Sequence, residues 1–394
     1  MLPLLVLALG MFALGTGAFV TAGLLPPIAA DLAVPVATVG QLVTVYAIAY
    51  AICTPLLAVA TGALNRRRLL IGALCLFALA NLLAALASSF LLLAAARMLA
   101  AVGAGLYSPA AMAVGASVAP LPRRAQALAV VSGGLTVANV FGVPLGTWIG
   151  ADLGWRAAFG LVGAVSVLAA LGVFLALRET PAQPVIPLST RLALLRDRPT
   201  VLALSFTTLW TLSAFLSFTY IGPLLEETAG LTGAGLSGAL FAFGVSGMVG
   251  LWLGGLGADR LGSARTITIC MPIAALAMLV VPVIGTSVVG ALVSLTIWSA
   301  AGWAVHPAQL NRQIALAPHA TGVVLAFNAS ALYLGVALGA ALGGIAYSFT
   351  SATMLAPLGG LGYLLTLGYF LLINRGSARA ASPVVASAGA TPDR

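Results

Sequence analysis

Apolar residues in this chain come in long unbroken runs rather than at the spacing of a half-buried helix or strand. A helix that crosses a bilayer needs about 20 consecutive apolar residues. Runs of that length lie near 4–25, 41–61, 69–87, 91–117, 125–149, 156–177, 201–222, 236–256, 266–285, 288–310, 321–345 and 353–373. The pattern predicts twelve membrane-spanning helices joined mostly by short turns. One connection differs, because residues 179–200 are polar and carry Pro181, Pro184, Pro187 and Pro199. It separates a six-helix bundle over 1–178 from a second over 201–374. The remaining stretch, 375–394, is rich in Ala, Ser and Pro and reads as a disordered tail.

Composition makes the solvent lipid. Of 394 residues, 61% are hydrophobic and 6% are charged, against roughly a quarter charged in soluble domains. The first run has no basic residue before it and is too long for the core of a secretory signal, so it reads as a retained helix. Cys53, Cys75 and Cys270 all fall inside apolar runs, which predicts buried free thiols without disulfide or metal spacing.

The net charge of +9 would suggest nucleic acid only if its placement were ignored. With the N-terminus cytoplasmic, fifteen of the seventeen arginines fall in cytoplasmic segments. Only Arg156 lies on the other side, and Arg97 lies within the fourth run. This asymmetry predicts an even number of spans with both termini inside.

Two landmarks repeat at one offset. Gly142, Gly146 and Gly150 in the fifth run recur as Gly335, Gly339 and Gly343 in the eleventh, 193 residues later. The same shift relates Gly62, after the second run, to Gly255, after the eighth. Two unrelated coincidences at about half the chain length point to duplication. The expected fold is an all-α integral membrane protein of two pseudo-symmetric six-helix bundles.

The stretch Gly255-Leu-Gly-Ala-Asp259-Arg260-Leu-Gly262-Ser-Ala-Arg265 is a compact charged segment in a chain with eight acids. It reads as a loop at the inner face. There Asp259 and Arg260 can latch neighbouring helix ends, or the glycines can simply turn a solvated loop. Arg260 and Arg265 can also meet anionic lipid headgroups. The first-half counterpart, Gly62 to Arg68, is one residue short and has Asn65 in place of an acid.

These segments resemble a bacterial transporter of the major facilitator superfamily, in its twelve-helix drug:proton antiporter branch, over nearly the whole chain. Gly255 to Gly262 matches the superfamily's signature loop. Gly134-x8-Gly142-Val143-Pro144-Leu145-Gly146 is similar to the helix-5 signature of exporters. Arg97 with Gly103 and Gly105, the Gly23 to Leu32 segment, and Gly154-Trp155-Arg156 resemble further marks of that branch. The resemblance implies alternating access between two bundles and export driven by protons. Small residues at helical spacing also predict close helix approach, and Pro144 predicts a kink, placing the fifth helix at the seam between the halves. For the eleventh helix, with Ala337 in place of a proline, packing alone is expected.

The sequence departs from the branch at one point. Related exporters carry an acid in the first helix, where this chain reads Gly15-Thr16-Gly17-Ala18-Phe19. Arg97 lies about six residues, roughly 9 Å, inside the fourth helix and at a depth similar to Ala18. A buried Arg needs a partner or a wet cavity. Coupling can then use an end-located acid such as Asp31, or His306 in the tenth run. Alternatively transport is uncoupled and Arg97 receives an anionic group, or is tied structurally to carbonyls. Candidates for lining a central cavity are Thr16, Phe19, Gln41, Tyr46, Tyr50, Arg97, Asn139, Trp210, Ser213, Phe215, Trp303, Asn328 and Tyr333. Aromatic walls with few polar anchors suit amphipathic small molecules.

The expectation is a monomeric, multi-pass transporter of the bacterial inner membrane. It exports a drug-like or metabolite molecule, with the proton as counter-ion and no cofactor or metal. A sugar or nucleoside exporter or facilitator is the alternative. A membrane enzyme is disfavoured because the acids are dispersed and no metal-binding cluster is written in the sequence. An ATP-driven pump lacks its phosphate-binding Gly-Lys-Ser/Thr loop.

Overall fold

The computed structural model describes residues 1–120, 123–178, 196–316 and 321–380, with backbone alone for Ala125 and 375–380. Most of the predicted linker (179–195) and the tail from 381 lie outside the described residues. Every regular element described is helical. In chain order these are α1 (Leu2–Phe19), a 3-10 turn (Val20–Gly23), α2 (Leu25–Leu32), α3 (Val36–Ala60), α4 (Arg66–Ala85) and α5 (Phe90–Val118). Then come α6 (Arg124–Val137), a π-helical turn (Ala138–Gly142), α7 (Val143–Asp152) and α8 (Trp155–Ala176). The second half holds α9 (Arg198–Phe218), α10 (Ile221–Ala229), α11 (Gly233–Leu261) and α12 (Ser263–Leu279). It ends with α13 (Val281–Ile284), α14 (Val288–Leu316), α15 (Thr321–Phe349) and α16 (Ala352–Ala380).

Among the described residues, eleven helices are long and apolar enough to cross a membrane. The ninth predicted run falls short of that length. α12 has 17 residues and breaks at Val280, two positions before Pro282, whose ring cannot continue the hydrogen-bond ladder. Leu56, Leu82, Leu175, Trp252 and Leu365 point outward and stay more than half exposed, as a lipid-facing surface requires. Cys75 is exposed and Cys53 and Cys270 are half-buried, all three free. The expectation of buried thiols is therefore corrected, because apolar runs in a bilayer have outward faces as apolar as their inward ones.

Two buried clusters follow the halves, and a third, from Val20 to Phe159 with Tyr220 and Leu355, spans them. One cluster runs from Leu4 to Leu177, and another is built mainly from Phe206 to Phe370. Phe19 and Tyr333 pack against both.

The fifth predicted helix, α6–α7, does reach the seam through Asn139, Val140 and Pro144, but its glycines face the other way. A Cβ on Gly134 would strike the Ala8 carbonyl, one on Gly142 the Thr16 hydroxyl, and one on Gly146 the Val20 side chain. That face of α6–α7 therefore packs on α1 and its extension, inside the first half. Gly335, Gly339 and Gly343 do the same against Thr211, Leu212 and Leu216 of α9, inside the second. The 193-residue offset thus relates two equivalent packings, first helix with fifth and seventh with eleventh. Across the seam α11 comes close, with Gly244 against the Asn139 carbonyl and Val140 Cα, and so does α15, with Gly344 against Gln41 of α3. Ser237 donates to the Pro144 carbonyl at 2.7 Å. The expected irregularity near Pro144 is the π-helical turn before it, where the ladder widens ahead of the missing proline donor.

The charged segment Gly255–Leu261 is helical, not a loop: α11 runs to Leu261 and the chain reverses at Gly262, with φ +86°. That backbone is open to glycine and strained for other residues. Asn65, where an acid is expected, caps α4 by accepting from the Arg67 and Arg68 amides at 3.0 and 3.3 Å. The predicted linker gives way to helix at Arg198, where Asp197 accepts from the Thr200 amide at 3.0 Å. The predicted tail begins late, since α16 continues to Ala380.

Candidate functional site

The seam between the halves is closed at one end and open at the other. The closed end lies opposite the chain terminus, where Tyr220 reaches from the end of α9 across the seam. Its hydroxyl lies 3.1 Å from the Ala340 carbonyl and 3.5 Å from that of Ala37. Gly40 and Gly344 make room for it, since a Cβ on either would collide with the Tyr220 hydroxyl. Gln41 belongs to this closure and not to a cavity wall. Its amide donates to the Ala37 carbonyl at 3.4 Å and accepts from Thr44 at 3.0 Å. Thr44 in turn lies 3.5 Å from the Ala337 carbonyl across the seam.

Toward the face that carries Met1 the seam opens into a cavity of about 530 Å³. Tyr50, Thr54, Gly62, Arg66, Pro109 and Val323 are among its walls. A second, narrow apolar pocket, with about 50 Å³ of free space, holds Phe19, Asn139, Trp210, Phe215 and Trp303. Each of those five was a candidate from sequence. Phe19 ties the halves together at ring distances of 5.8 Å to Phe215 and 6.5 Å to Phe218. Asn139 enters from the π-helical turn. The sequence reading missed Phe218, Phe243, Trp298 and Tyr363 in the same wall. The i, i+3 spacing of Phe215 and Phe218 was their one visible signal. His306 lies beside this pocket, with ring centroids 6.0 Å from Trp210 and 6.2 Å from Trp303.

Three tyrosines form a layer near the two cavities. Tyr50 stacks on Tyr333 at 3.9 Å, and Tyr46 lies 6.4 Å from Tyr50 and 6.3 Å from Tyr333. Behind Tyr46 sits Arg97, with 0% of its surface exposed. Its guanidinium carbon lies 4.4 Å from the Tyr46 ring centre and 5.8 Å from that of Phe159. Nη2 reaches the Ala18 carbonyl at 3.5 Å, a long contact, while Nε and Nη1 find no partner. Burying an Arg at bilayer depth costs at least about 2.5–3.5 kcal/mol. A desolvated cation–π contact returns about 2 kcal/mol. The site leaves a buried positive charge under-compensated.

Other candidates serve packing. Thr16 is buried against Gly142. Ser213 donates to the Leu209 carbonyl at 2.8 Å and faces Thr366 at 3.4 Å. Asn328 accepts from Thr207 at 3.0 Å, within a buried network that includes Gln309 and Gln313 and ties α9, α14 and α15. Asp31 pairs with Arg156 at 2.6 Å and accepts from the Trp155 indole at 3.3 Å, near the closed end and outside both cavities. Asp259, Arg260 and Arg265 are exposed and make no ion pair with a described residue.

Residues 7–340 match the sequence profile of the Major Facilitator Superfamily. The chain belongs to the major facilitator superfamily. It is 34% identical to the inner membrane transport protein YdhP of Escherichia coli, over 92% of this chain and 94% of that one. It is 32% identical to a chloramphenicol resistance protein of Streptomyces lividans, over 93% and 94%. Its fold matches a crystal structure of a bacterial homologue of the human lysosomal transporter Spinster, in an inward-facing, occupied conformation. That match has TM-score 0.79 and 19% identity, covering 94% and 96% of the two chains. Superfamily members are transporters, so the seam is read as a transport route and not as an enzyme active site.

Proposed function

We propose that this chain exports a small amphipathic molecule across the bacterial inner membrane by alternating access, acting as a monomer. The aromatic pocket at the seam, between a sealed end and an open end, carries the reading. Twelve crossings with both termini cytoplasmic fit the arginine asymmetry, with α12–α13 supplying the crossing that falls short in length. The open cavity then faces the cytoplasm, where an exporter loads. Arginines at that face, including Arg260 and Arg265, meet anionic headgroups. The lining suits an aromatic or aliphatic body better than a sugar, whose hydroxyls need a dense set of polar anchors.

The family resemblance implies a proton drive, and His306, beside Trp210 and Trp303, is a titratable group next to the pocket. The absence of an acid at Ala18 supports the second reading, uncoupled export. Efflux from inverted vesicles tests both, using chloramphenicol and a panel of aromatic compounds of different charge, with and without a pH gradient. We expect at least one aromatic compound to be exported, Trp210→Ala to slow it at least tenfold, and His306→Asn to remove its dependence on the gradient. A panel in which nothing is moved contradicts export. Gradient dependence that survives in His306→Asn removes the proton role of that residue.

A further inference from the structure

We infer that Arg97 is an anion-binding site and that the molecule carried is an aromatic carboxylate. The inference rests on the export reading and adds the charge of the substrate. Arg97 is wholly buried, and two of its guanidinium nitrogens have no partner. Its one acceptor, the Ala18 carbonyl, is 3.5 Å away. Charged residues in the described membrane interior offer no compensation: Asp31 is paired with Arg156, and Asp152, Asp197, Glu226, Glu227 and Asp259 lie at helix ends. A planar guanidinium with free donors matches a carboxylate, which can accept two parallel hydrogen bonds.

Position adds a body to that charge. Ala18 is followed by Phe19, a wall of the aromatic pocket. The Tyr46 ring that covers the guanidinium packs against Tyr333 from the other half, and Leu332 beside Tyr333 lines the same pocket. An aromatic carboxylate can place its ring in the pocket and its charge toward Arg97 once the tyrosine layer shifts. Chloride offers the charge without using the aromatic walls.

The consequence for energetics is direct. The loaded centre is neutral, and the empty carrier holds one buried positive charge. An inside-negative membrane potential then draws the empty carrier inward and favours net outward movement of the anion. No membrane-embedded acid is needed for that cycle, in agreement with alanine at position 18.

The test is equilibrium dialysis of radiolabelled 1-naphthoate against the purified full-length protein in lipid nanodiscs. Wild type is expected to bind it saturably, with the neutral 1-naphthamide and the cationic 1-naphthalenemethylamine competing at least tenfold less well than unlabelled naphthoate. Arg97→Gln is expected to lower affinity at least tenfold and Arg97→Lys to keep part of it. The competition on wild type stands even if Arg97→Gln does not fold. The inference is overturned by absent saturable binding, by equal competition from amide or amine, or by unchanged affinity in folded Arg97→Gln. Displacement by chloride alone at equal concentration overturns the organic class. Vesicles that export neutral aromatics without preferring naphthoate remove the anion site and leave export standing. Arg97-dependent binding without export removes export and leaves the site.

Discussion

Tyr220 is the central contact at the closed end of the seam. It is fully buried, and its hydroxyl bridges toward backbone carbonyls of both halves. A net contribution near 1 kcal/mol per hydrogen bond means that Tyr220→Phe should move the closed population roughly fivefold toward opening. Impermeant thiol labelling of a cysteine at Ala37, applied from the opposite face, should rise accordingly, and unchanged labelling would deny the seal. At this scale the sequence was partly legible. Arg97 stood out because a charge inside an apolar run is expensive, and the structure finds it buried and poorly partnered. Phe243 and Trp298 did not stand out, because an aromatic residue facing lipid and one facing a pocket satisfy the same apolar pattern. Asn328 and Ser213 suggest a polar lining, yet Asn328 accepts from Thr207 of a neighbouring helix and Ser213 donates back to its own helix at Leu209.

Among the helices, the glycine periodicity reported close approach correctly and its partner incorrectly. Spacing says that a face is small; it does not say which neighbour uses it. The partner became visible only when Gly134 met Ala8, Gly142 met Thr16 and Gly335 met Thr211. Gly134→Ala forces a Cβ onto the Ala8 carbonyl and should cost about 1–3 kcal/mol, the range for overpacking. Gly255→Ala, with nothing within 4 Å of its added Cβ, should leave stability unchanged or raise it. Thermal unfolding of the two variants in detergent checks the contrast, and equal midpoints would contradict it. The run at 266–285 predicts one helix, but the chain breaks at Val280, ahead of Pro282. A proline inside an apolar run left its length looking intact while breaking the element.

For the molecule as a whole, the arginine asymmetry and the repeat carried most of what sequence could say about organisation. Which end of the seam is shut is a property of packing between distant residues and had no local signal. The charged end of α11 bears on that choice. Asp259 makes no ion pair with a described residue in this conformation, so a latch through it would act when the cytoplasmic side closes. Asp259→Asn should lower transport at least severalfold while membrane insertion and thermal stability stay unchanged. Transport at the wild-type rate would assign the segment to a solvated helix end. Alternating exposure of the aromatic pocket is tested most directly by a single cysteine at Ala214, in its wall, with Cys53, Cys75 and Cys270 replaced. An impermeant maleimide added to oriented vesicles should label it from the cytoplasmic face, and from the opposite face once Tyr220 is replaced by Ala. Labelling that stays confined to one face in both proteins would contradict alternating access through this pocket.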